Sequence, residues 1–380
     1  MGLPKPGRDH GTGFARPPAQ PAPQGAESDT KCRVVGVSFG MSFFAVLFAL
    51  LIEQARPLAR GNWIHVGFRV WARWASRHLD AGQPHHGWIA WGVAVALPSL
   101  GALLIHWALW SANPLLAFAW SVGILYVTLG FRQFSHFFTD IRDALDDGDE
   151  DTARQLLAQW RQVDASDLPR SEIVRHVIEY SVLAAHRHVF GVLGWFSLLA
   201  ALGLGPVGAV LYRMSEFVAR YWRHKSKSLE AGEGASPALQ AAANQAWGVI
   251  DYLPARVTSL GFAVVGSFED AIDAWRNYSQ RFSNDASQTL ETRNDGIILA
   301  ATSGAVNVRL GGQALQTRFD ANASAGFLAA DASTFASTTQ GTPGREPEVA
   351  HLRSIVGLVW RSVVLWMVLL ALLTLARLLG

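Results

Sequence analysis

Residues 88–131 read WIAWGVAVALPSLGALLIHWALWSANPLLAFAWSVGILYVTLGF. Two apolar runs, Trp88 to Trp110 and Pro114 to Phe131, contain no Asp, Glu, Lys or Arg and are separated by SANP. A run of about twenty apolar residues crosses the roughly 30 Å of hydrocarbon in a bilayer. The SANP link is uncharged and too short for anything but a tight turn, so the stretch reads as a membrane-crossing helical hairpin. Working outward, Val34 to Ile52 and Ile355 to Leu379 are apolar over a similar length. The expected fold is therefore all-α: a polytopic integral membrane protein with about four spans, and the lipid bilayer is its first partner.

Composition agrees. Half of the 380 residues are hydrophobic and 16% are charged, against about 25% charged in a soluble domain. Fifteen Trp and twenty Phe suit membrane interfaces and apolar packing. A net charge of +2 without a compact basic tract argues against nucleic acid as a partner. The single cysteine, Cys32, forms no internal disulfide and no zinc site. Arg56, Arg60, Arg69, Arg73 and Arg77 lie between the first two spans, and Arg132, Arg142 and Arg154 follow the third. Positive charge is retained in the cytoplasm, which places these segments inside, SANP in the periplasm, and the chain in the bacterial inner membrane as a multi-pass protein.

Residues 1–33 are rich in Pro, Gly and Ala and lack apolar periodicity. They read as a disordered extension, with Met41 as an alternative start, ahead of one membrane domain covering 34–380. The first apolar run has no cleavage-site pattern after it, so it reads as a retained helix. Two stretches are interrupted. Val189 to Tyr212 is broken by GLGP and followed by Arg213, Arg220, Arg223, Lys225 and Lys227, which points to a re-entrant or interfacial hairpin turning at Gly203 to Pro206 with both ends cytoplasmic. Trp247 to Val265 carries Asp251, Pro254 and Arg256, costly groups in lipid, and is expected to be a broken element buried in protein or lining a cavity. Apolar spacings of three and four predict a cytoplasmic helical layer: a helix from Phe131 that Gly148 terminates, one over 149–163, and one over 171–183 with Ser171 as N-cap. Residues 225–237 read as a linker and 321–347 as a mobile loop.

Four constellations carry candidate chemistry. His176, Glu179, Leu183 and His186 share one helical stripe, which would suit a divalent metal given a further ligand; otherwise they form a polar collar in which Arg175 pairs with Glu179 and Arg187 meets lipid phosphate. His136 and Asp140 lie one turn apart, ahead of Asp143, Asp146, Asp147, Asp149 and Glu150. That acidic patch suits magnesium or a solvated helix end. In DYLPARVT, Asp251 and Arg256 flank a proline; Arg256 suits a phosphate or carboxylate, and the two alternatively pair with each other. NDGIILAATSGAVNVRLGG, Asn294 to Gly312, reads as a helix whose Gly304 and Ala305 permit close packing and which ends at Arg309 and a Gly-Gly turn.

Together these pieces resemble the CobD/CbiB family of cobalamin biosynthesis, adenosylcobinamide-phosphate synthases of the membrane, over roughly residues 41–375. RQFSHFFTDIRDALDDGDEDTARQLL, with His136, Gly148, Asp149, Ala153 and Arg154, is similar to the family's His-containing helix and the step after it. GPVGAVLYR, Gly205 to Arg213, looks like its GPPGAxxYR turn, YLPARVT like its IPARLT element, and NDGIILAATSGAVNVRLGG like its block ending in VRLGG. The resemblance implies attachment of aminopropanol phosphate to a corrinoid carboxylate, with ATP and magnesium as cofactors. It implies Glu179, Asp251 and His136 in catalytic positions and Arg256, Asn294, Arg309 and Gly311 in substrate binding. The acidic motifs are degenerate. The family's second Glu, Asn and Asp fall at Leu183, Ala184 and Arg187, and Asp251 replaces an asparagine. Some of these changes are shared with AmpE, so the alternative is a non-catalytic AmpE-like membrane sensor of cell-wall turnover and β-lactamase induction, partnered by a membrane or cell-wall enzyme.

Overall fold

The computed structural model describes residues 2, 41–56, 63–161, 164–227, 235–282, 288–311 and 342–379. The N-terminal extension with Cys32, the start of the first span, most of the 225–237 linker and residues 321–341 of the expected loop lie outside them. The described residues form thirteen α-helices and no strand: α1 Met41–Ala55, α2 Trp63–Leu79, α3 Pro84–Ala112, α4 Pro114–Thr128, α5 Phe131–Asp146, α6 Glu150–Arg161, α7 Arg170–Ala185, α8 Gly191–Ala201, α9 Val207–Lys227, α10 Pro237–Val265, α11 Phe268–Phe282, α12 Leu290–Val306 and α13 Val349–Leu379. One π-helical turn, His186–Phe190, joins α7 to α8. The fold is all-helical and polytopic.

The stretch that opened the reading folds into α3 and α4 with Asn113 between them. Its side chain accepts a 2.8 Å hydrogen bond from the Leu115 N–H and Pro114 occupies the first helical position, two start signals in one turn. Four helices are long and apolar enough to cross a membrane: α3, the rod Arg170–Ala201, α10 and α13. Two of the expected spans, α3 and α13, are among them. The other two, α1 and α4, are shorter apolar helices of which α4 has 15 residues, about 22 Å at 1.5 Å per residue.

One of the two remaining long helices, α10, corrects the sequence reading, which takes its segment as broken; the other, the rod Arg170–Ala201, ends at the GLGP break expected within Val189 to Tyr212. α10 runs unbroken for 29 residues through Pro254. A proline inside a helix strands the carbonyl four residues before it, here that of Ile250, and the Trp195 indole N–H of α8 donates to that oxygen at 3.0 Å. The same repair occurs in α3, where Pro98 would strand Ala94 and the Trp71 indole N–H supplies the bond at 3.1 Å. Trp195→Phe removes the donor and keeps an aromatic ring. It is expected to lower stability by about 1–3 kcal/mol, the cost of an unsatisfied buried carbonyl, read as a reduced unfolding midpoint in detergent.

The expected helix over 171–183 is the first half of the α7–α8 rod, with Arg170 its first residue and Pro169, not Ser171, before it. The hairpin does turn at Gly203 to Pro206, where Gly203 and Gly205 take φ of 78° and 57°. Its tip packs against α3. A Cβ on Gly205 would meet the His106 ring at 2.5 Å, and His106 lies six residues before the end of α3, about 9 Å along the axis. α12 ends at Val306 because Asn307 adopts the left-handed conformation, φ 55°, and caps it; the Gly-Gly turn is not the stop. Gly304 does allow the close approach expected of it, against the backbone of α11 at Asp270 and Ala271. Beyond the cap, residues 308–311 run beside 342–345, with Val308 and Arg345 in a parallel bridge.

The acidic patch after His136 is spent on structure. Arg142 pairs with Asp143, Arg154 with Glu150 and Asp151, and Arg353 with Asp146. Asp149 accepts from the Thr152 hydroxyl at 2.6 Å and its N–H at 3.0 Å, bonds that hold its carboxyl below the ordinary range and cap α6.

Candidate functional site

The charged groups in the middle of α7 engage one another. Glu179, buried, accepts from the Arg175 guanidinium at 3.0 Å and from the Gly311 backbone N–H at 2.7 Å. His176 Nδ1 stands 3.6 Å from the other Glu179 oxygen, and Arg175 also donates to Glu172. The Arg175–Glu179 pair is the one expected of a polar collar.

The π turn then inserts an extra residue into the helical register, a feature often found at functional sites. His186, its first residue, does not join Glu179 and faces α10. Its Nε2 lies 2.8 Å from Asp251 Oδ1 and its Nδ1 2.9 Å from Thr258 Oγ1. Tyr212 of α9 donates to the same Asp251 oxygen at 2.8 Å. Asp251 and His186 are fully buried. Asp251 Oδ2 has no hydrogen-bond partner among the described residues, so the quartet has one acceptor left over in a dry setting.

Arg187 does not meet lipid. Its guanidinium reaches α12, 2.7 Å from Asp295 and 3.8 Å from Glu291. Arg223 of α9 binds Glu291 through both terminal nitrogens, at 2.5 and 3.3 Å, and Asn244 at 2.8 Å. Arg213 and Arg220 flank Glu216 on α9. Three of the five basic residues counted as a topology signal are thus committed to buried carboxylates. Between them is a small recess lined by Arg187, Arg220, Arg223, Glu216, Glu291 and Trp247.

The candidate residues converge in part. Glu179 touches Gly311, and Arg256 Nη1 donates to Asn294 Oδ1 at 3.0 Å, while Asn294 Nδ2 donates to the Gly248 carbonyl one turn before Asp251. Asp251 and Arg256 do not pair with each other: Asp251 faces His186 and Tyr212, and Arg256 lies over the Tyr252 ring and bonds to Asn294. Glu179, Asp251, Arg256, Asn294 and Gly311 are thereby held where α7, the π turn, α10 and α12 meet. Arg309 is exposed on the segment that ends at Gly311, and His136 is exposed on α5, with no hydrogen bond or ion pair to the other candidates. The reading missed Tyr212, Thr258, Glu216, Glu291 and Asp295. One signal was present: Arg213, Glu216, Arg220 and Arg223, spaced three, four and three, form an alternating charged stripe.

For the magnesium that the resemblance implies, the donors do not fit. Among the described residues, no group of three or more His, Cys, Asp or Glu could hold a metal. Glu179, Glu216, Glu291 and Asp295 each face a guanidinium, and Asp251 faces an imidazole.

A family model described as CobD/Cbib protein matches residues 43–334. The chain is 26% identical over 336 residues, 86% of its own length and 96% of the relative's, to the Cobalamin biosynthesis protein CobD of Stutzerimonas stutzeri (strain A1501). It is 31% identical over 222 residues, 58% of its length and 64% of the relative's, to the protein of that name in Chromobacterium violaceum, and 27% identical over 221 residues to one in Leptospira interrogans. No solved structure matches. Nothing in these comparisons supports the AmpE-like alternative.

Proposed function

Since the chain belongs to the CobD/CbiB family, we propose that it acts in cobalamin biosynthesis at the bacterial inner membrane, binding a corrinoid intermediate at the cytoplasmic side of the α7, α10 and α12 junction. The observation that carries this reading is the closure of three separate sequence blocks onto one another: Gly311 on Glu179, and Arg256 on Asn294, which in turn holds Gly248. Residues 132 positions apart in the chain have no local reason to meet, and a single ligand wall is a reason for them to do so.

In this reading Arg256, half-buried at the edge of the junction, and Arg309, exposed beside Gly311, meet a carboxylate or phosphate of the ligand; guanidinium groups suit both, being planar and permanently charged. Glu179 orients the Gly311 backbone, and the His186–Asp251–Tyr212 cluster fixes α10 against α7 and α9. His136 has no part in this arrangement.

Complementation tests it. A strain lacking its own adenosylcobinamide-phosphate synthase is given this gene and grown on cobyric acid without cobinamide. Growth is expected, and Arg256→Ala at unchanged protein level is expected to abolish it or slow it strongly. No growth from a chain shown to be folded and in the membrane would overturn the synthase role.

A further inference from the structure

Glu291 and Asp295 lie one turn apart on α12 and are both buried. Two carboxylates at that spacing, completed by phosphate oxygens from a substrate, are what a magnesium ion asks of a protein. A guanidinium already stands there. Arg187 enters from the π turn between the two acids, and Arg223 grips Glu291 from the other side.

We propose that Arg187 is a resident cation in place of a divalent metal: it closes the Glu291–Asp295 pair to metal ions. His186 and Arg187 are neighbours at the start of the π turn, and the first faces α10 while the second faces α12. A guanidinium stays charged at any working pH, so the substitution for a metal is permanent. Arg187, Arg220 and Arg223 line one small recess together with Glu216 and Glu291, so the positive charge there is balanced within the protein. The inference stands apart from the cobalamin reading above.

Full-length protein purified in detergent is titrated with Mn²⁺ and followed by electron paramagnetic resonance. Wild type is expected to bind no stoichiometric Mn²⁺. Arg187→Gln is expected to gain one Mn²⁺ site that disappears again when Asp295→Asn is added. Stoichiometric Mn²⁺ binding by wild type that Asp295→Asn abolishes would overturn the proposal, and so would a folded Arg187→Gln chain that gains no site. Should Arg187→Gln fail to fold, the wild-type Mn²⁺ titration still decides: no stoichiometric site is expected, and one that Asp295→Asn removes overturns the proposal. Failed complementation with the Mn²⁺ results as expected would sink the cobalamin reading and leave this one standing.

Discussion

His186→Ala is expected to destabilise the protein by about 3–5 kcal/mol, the cost of leaving a buried carboxylate without its partner. His186 reaches Asp251 at 2.8 Å and Thr258 at 2.9 Å, and both groups lie within α10 on either side of Pro254. Without the imidazole, Asp251 keeps only the Tyr212 hydroxyl, and its second oxygen already lacks a partner. Asp251→Asn should cost far less, about 1–2 kcal/mol, because the amide keeps an acceptor for Tyr212 and introduces no unpaired charge. Unfolding midpoints in detergent check the order: His186→Ala well below Asp251→Asn, and both below wild type. Equal effects would mean that the interaction is an ordinary hydrogen bond.

Gly208→Ala and Gly304→Ala are expected to disrupt the helix packing that forms the junction. A Cβ on Gly208 would lie 2.0 Å from the Trp195 carbonyl oxygen, and one on Gly304 2.2 Å from that of Asp270. Both obstacles are backbone, which cannot rotate aside as a side chain would. The helices must separate, at a cost at or above the roughly 1–3 kcal/mol typical of overpacking. Gly101→Ala and Gly194→Ala are the controls. A Cβ there meets nothing within 4 Å, and alanine favours a helix interior by about 0.5–1 kcal/mol. Thermal unfolding should thus move in opposite directions for the two pairs of variants.

These contrasts show how far the sequence could be read. The α3–α4 hairpin was legible because length, apolarity and the Asn113–Pro114 start signal agree. So was the α8–α9 turn, where Gly203 and Gly205 supply the positive φ that the backbone needs. α10 was misread because Pro254 and two charged groups argue locally for a break, and the groups that prevent it, Trp195 and His186, come from another helix. The candidate site was half legible. Glu179, Asp251, Arg256, Asn294 and Gly311 were named from their motifs, but which of them touch depends on how α7, α10 and α12 pack, which no local spacing gives. Arg187 was read as meeting lipid phosphate and Arg223 as a topology signal because their partners, Asp295 and Glu291, lie far along the chain; Glu216, between Arg213 and Arg220, was within reach of helical spacing. His136 was named from its motif alone, and α5 leaves it exposed, packed as that helix is on α6, α7 and α13.

The most direct test is a titration of the purified full-length protein with cobyric acid, followed by quenching of its tryptophan fluorescence. Saturable binding is expected, about 10- to 100-fold weaker in Arg256→Ala, as the ~1.5–3 kcal/mol of a hydrogen bond to a charged group implies, and unchanged in His136→Ala. No saturable binding by folded protein, or an Arg256→Ala chain that binds as wild type does, would contradict a corrinoid site at the meeting of α7, α10 and α12.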